Sequence, residues 1–88
     1  MMEETNRLQK LVAIATDLTI SSELRIRAIM QLGRIGTHEA LVALLDLVAN
    51  EALSWEERMR ALKQAERILK SGRGAWWHFK PPGRGDLA

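Results

Sequence analysis

Six arginines carry much of the chemical potential of this sequence. Arg25, Arg27 and Arg34 are followed 33 places later by Arg58, Arg60 and Arg67. A guanidinium stays charged and presents five donors in a rigid fork, which suits it to carboxylates, phosphates and backbone carbonyls. Arg27, Arg34, Arg60 and Arg67 could form an exposed ladder that receives an acidic partner or phosphates. Glu23, Glu56 and Glu66 stand close enough in sequence to neutralise much of it. Other chemistry has little support. His38 and His78 are forty residues apart, without the spacing of a metal-ligand set, and there is no cysteine. Glu56-Glu57 reads as negative charge at the start of a helix, where the macrodipole favours it. No glycine-rich loop opens a helix as a phosphate cradle would. The expectation is a chain with no catalytic residues, no cofactor and no metal, and therefore not an enzyme.

Four helices must position these side chains. Leu8, Leu11, Val12, Ala15 and Leu18 recur at spacings of three and four, which predicts a helix over residues 5–18 capped by Thr5 or Asn6. A second is predicted over 22–35, capped by Ser21 or Ser22, with Ala28, Ile29, Leu32 and Ile35 as its stripe and Gly36 as its stop. A third, over 38–50, starts after Thr37 and leaves only a narrow polar strip, a composition expected of a helix buried on more than one side. A fourth, over 55–71, begins with a capping box made by Ser54 and Glu57. No alternating pattern suggests a strand.

The arginine spacing belongs to a wider self-similarity. A shift of 33 residues places Leu8 on Leu41, Leu11 on Leu44, Ser21 on Ser54, Ala28 on Ala61 and Gln31 on Gln64, without a gap. From Ser21 to Ile35, eight of fifteen positions are identical to their counterparts. One supersecondary unit used twice, an antiparallel helical hairpin stacked on its copy, accounts for this. The run from Leu24 to Gly36, followed by Thr37-His38-Glu39-Ala40-Leu41, resembles the HEAT-like repeat of the phycobilin-lyase type. Arg25, Ala28, Leu32, Gly33, Ile35, Gly36, Glu39, Ala40 and Leu41 stand where that pattern wants them. The second copy keeps Arg58, Ala61 and Ile68 but has Ala65-Glu66 in place of Leu-Gly.

The resemblance implies an all-α fold, a short right-handed α-solenoid of two HEAT-like hairpins. It also implies that Arg25 and Arg58 bond within the fold to carbonyls or acids of adjacent helices, with Asp17, Asp46 and Asn50 as candidate partners. Gly33 would let a neighbouring helix approach closely. Glu66 cannot, so the stack should not continue past the fourth helix in the same way.

Domain organisation follows: a two-repeat helical domain over residues 1–72 and a Gly/Pro/Trp-rich tail over 73–88. The domain is neutral, with ten Lys/Arg and ten Asp/Glu, while the tail holds Arg73, Lys80 and Arg84 against Asp86. The tail is expected to be irregular, yet Trp76, Trp77 and Phe79 are large apolar rings that should dock on the chain's own body or on a partner. With no signal-like leader and no membrane-length apolar run, the expected location is the cytoplasm. The expected function is non-catalytic: a protein–protein interaction module, or a small accessory or assembly subunit, whose partner is another protein or a second copy of itself, with no membrane involved. The alternatives are a nucleic-acid-associated protein using the basic aromatic tail, and an accessory subunit of a lyase-type enzyme.

Overall fold

The computed structural model describes residues 2–71, with side chains described from residue 6 onward. Four helices form: α1 (Met2–Ala15), α2 (Ser22–Ile35), α3 (His38–Val48) and α4 (Trp55–Lys70). No strand occurs among the described residues. The predicted residues 73–88, with Trp76, Trp77 and Phe79, lie outside them.

The helix ends follow side-chain chemistry. Ser21, Thr37 and Ser54 accept hydrogen bonds from the backbone N–H groups of Leu24, Ala40 and Glu57. Each satisfies a donor that the first turn leaves unpaired. In α4 the Glu57 carboxylate also accepts from the Ser54 N–H, completing the capping box. Gly36 closes α2 in the left-handed region at φ 69°, where a side chain would be strained.

Predicted boundaries move in α1 and α3. Helix α1 starts at Met2, so Thr5 and Asn6 lie inside it, and it stops at Ala15 instead of residue 18. The Thr16 hydroxyl donates to the Val12 carbonyl, and the Asp17 side chain accepts from the N–H and hydroxyl of Thr19. These local bonds offer the backbone a turn in place of a further helical one. Helix α3 ends at Val48 for a related reason: the Asn50 side chain accepts from the Ala52 N–H at 2.9 Å.

The core is drawn from all four helices. It centres on Ile29 and Leu32 of α2, Leu41, Leu44 and Leu47 of α3, and Ala61, Ala65 and Ile68 of α4, closed by Ala15. Helix α2 packs on α1, α3 and α4, and α3 packs chiefly on α4. The expectation that α3 is buried on more than one side is only partly met, since Val42 and Leu45 are exposed.

Residues 33 places apart share roles. Ala28 and Ala61 are both buried, Ser21 and Ser54 both cap, and Asp17 and Asn50 close equivalent turns. The correspondence breaks at Gly33. A Cβ there would lie 1.9 Å from Oε1 and 3.0 Å from Cβ of Gln64. The missing side chain is what lets α4 approach α2. The counterpart position on α4 carries exposed Glu66.

Gly33→Ala should therefore lower stability by about 1–2 kcal/mol despite alanine's higher helix propensity, because overpacking outweighs it. Urea denaturation measures this, and Gln64→Ala in the same chain should restore part of the loss by clearing the overlap.

Candidate interaction surface

One carboxylate joins the two halves of the body. Glu57 lies in the first turn of α4 and is fully buried. Its Oε2 accepts from Arg25 Nε at 3.1 Å and Nη2 at 2.8 Å, and from the Ser22 hydroxyl. Its Oε1 accepts from the Ser54 N–H at 3.0 Å. Arg25 uses its remaining terminal nitrogen to donate to the carbonyls of Asp17 at 3.1 Å and Ile20 at 2.7 Å. The guanidinium thus ties the α1–α2 turn to α4. Burial pushes the Glu57 pKa up, but the hydrogen bonds from Arg25, Ser22 and the Ser54 N–H, with the charge of Arg25, outweigh it. The net result holds the group at about 2, below its ordinary 4.5.

The role of Arg25 within the fold agrees with expectation, but the acidic partner differs. Of the candidates Asp17, Asp46 and Asn50, only Asp17 takes part, through its backbone carbonyl. Glu57, read from sequence as helix-end charge, is the ion-pair partner. A hint lay in the repeat itself: a 33-place shift sets the acidic Glu57 against the apolar Leu24.

Arg58, the counterpart of Arg25, is held differently. Its Nε donates to the Val48 carbonyl at 2.8 Å. No carboxylate among the described residues pairs with it. Trp55 stands where the first copy has Ser22, and it is 73% exposed.

The arginine ladder divides in two. Arg27 lies 3.9 Å from Glu23 and Arg60 lies 3.5 Å from Glu56, both as exposed pairs one helical turn apart. Such pairs contribute little to stability and leave little net charge to offer. Arg34 and Arg67 instead flank a groove of about 260 Å³, lined also by Gly33, Gly36, Ile68 and Ser71. Both sit in the last turn of their helices, where positive charge is favoured by the macrodipole. Arg67 also donates to Gln64 Oε1 at 3.4 Å. The groove could accept a carboxylate or phosphate group. Glu66 pairs with none of the four arginines.

A second surface lies at the first hairpin. Ile14 is 40% exposed where its counterpart Leu47 is 2% exposed, and Leu24 is 46% exposed where Glu57 is fully buried. The α3–α4 pair has a neighbour over these positions, and the α1–α2 pair leaves them open. Among the described residues no group of three or more His, Cys, Asp or Glu side chains could hold a metal ion, and no helix is long and apolar enough to cross a membrane.

Removing one member of a buried ion pair strands the other, so Glu57→Ala should cost about 3 kcal/mol in chemical denaturation. Because the folded-state pKa is depressed, the stabilisation from Glu57 is complete above about pH 4.5 and is lost as pH falls toward about 2. Denaturation midpoints measured across that range should fall for the parent chain and fall less steeply for Glu57→Gln.

No protein-family model, no curated protein and no solved structure matches this chain.

Proposed function

We propose that the chain is a non-catalytic protein-interaction module: two HEAT-like hairpins stacked as a short right-handed α-solenoid, serving as a small accessory or assembly subunit. One observation carries this reading. The apolar positions Ile14 and Leu24 are open on the first hairpin at seats that the second hairpin has covered. A stack that ends on uncovered apolar seats has an unfilled interface, and two repeats are fewer than the three or so that usually sustain such a stack. The seats fit a further helical hairpin, from another protein or from a second copy of this chain.

The residue types agree with a binding role. Exposed Trp55 and half-buried Arg58 are of the kinds that dominate binding energy once water is excluded. A nucleic-acid role is favoured less by the body, whose formal charge is balanced and whose Arg27 and Arg60 are already paired. The accessory role in a lyase-type enzyme rests on the repeat resemblance, and a fold-level likeness does not carry a function.

A photo-crosslinking residue placed at position 14 or 24 of the full chain, in cells, tests the reading. Adducts with a second polypeptide are expected from both positions, their masses separating self-pairing from a different partner. The exposed position of Lys63 should give none. Absence of adducts at both 14 and 24, in chains that keep the parent melting temperature, would count decisively against it.

A further inference from the structure

The first hairpin shows how this fold receives a neighbour. Ser22, Arg25 and Gly33 lie along one row of α2, at spacings that share a helix face. Ser22 and Arg25 take the carboxylate of Glu57, and Gly33 takes Gln64. The incoming carboxylate belongs to the third residue of α4 and closes its capping box, so it comes to the arginine from the first turn of a helix. The same row on α4 reads Trp55, Arg58 and Glu66, and no described helix lies against it as α4 lies against α2.

From this internal precedent we infer that Trp55 and Arg58 form a docking seat for the first turn of a helix in a different protein, bearing an Asp or Glu side chain that pairs with Arg58 and packs under the Trp55 indole. The inference rests on the interaction-module reading and adds the chemistry of the partner. Arg58 donates from Nε to the Val48 carbonyl, and its terminal nitrogens pair with no carboxylate among the described residues, so Nη2, which in Arg25 shares the grip on Glu57 with Nε, is left to offer. Leu45 of α3 is exposed, whereas Val12, its counterpart 33 places earlier, packs against the core.

Two features select against a second copy of this chain. Repeating the internal translation would bring Leu24 to Arg58, and leucine offers a guanidinium no acceptor. It would also set Gln31 against Glu66, where the intramolecular junction needs the bare backbone of Gly33. A partner helix therefore approaches closely at its acidic first turn and diverges from α4 toward Glu66. The spacing is the reverse of a uniform stack.

The test uses the full chain with a photo-crosslinking residue at position 55, expressed in cells, with adducts mapped to residues. The expected result is an adduct in another protein, within a helical turn of an Asp or Glu near a helix start. Arg58→Glu should reduce its yield at least about tenfold, and Arg58→Lys should retain part of it. Substitution of the mapped Asp or Glu by Lys should recover yield with Arg58→Glu, a readout that misfolding would not produce. Adducts only with residues 73–88 of the same chain, only with a second copy, or none at all would overturn the inference. So would adducts insensitive to Arg58→Glu. Adducts from positions 14 and 24 without any from 55 would sink this seat alone, whereas silence at 14 and 24 would sink the broader reading.

Discussion

The buried contact between Glu57 and Arg25 is the constraint on which the arrangement of the four helices depends. An unpaired carboxylate in that position would face a large desolvation penalty. Both oxygens instead have donors: Oε2 two from the guanidinium and one from the Ser22 hydroxyl, and Oε1 one from the Ser54 backbone. These donors come from both hairpins, so the carboxylate is satisfied only when the hairpins are docked in one register. Apolar contacts between helices tolerate sliding, and this contact does not. The Asp17 and Ile20 carbonyls hold the arginine from behind, so the α1–α2 turn is part of the same device.

Sequence and structure agree most closely where local chemistry decides the outcome. The start of α2 follows from Ser21, its end from Gly36, and the start of α4 from Ser54 and Glu57, since each of these residues satisfies or terminates backbone bonds within a few positions. The close approach at Gly33 was also legible, because a glycine inside an apolar helical stripe has few other physical uses. The ends of α1 and α3 were misplaced because Leu18 and Asn50 continue a plausible helical pattern. Asp17 and Asn50 win the competition by bonding N–H groups two residues ahead.

The candidate surfaces were less legible, for a different reason. Periodicity tells which residues share a face, not which faces meet. Arg27, Arg34, Arg60 and Arg67 read as one ladder along the repeat, yet two are neutralised within their own helices and two flank a groove. The dual role of Glu57 could not be separated from ordinary helix-end charge until Arg25 was seen beside it. Likewise Val42 and Leu45 suggested burial by composition alone, and only packing shows that α3 turns them outward.

The contrast between Gly33 and Glu66 bears on how such a chain could lengthen over evolution. Tandem copying of the second hairpin would carry a glutamate into each new junction, where the fold needs a bare backbone, and the added unit would seat poorly. Copying the first hairpin would instead bring its own glycine but would present Leu24 to Arg58, and leucine offers a guanidinium no acceptor. Neither hairpin is a ready template for the next, so growth of the array by simple gene duplication would demand compensating substitutions at both seats, and the two-hairpin body is closed to that route as it stands.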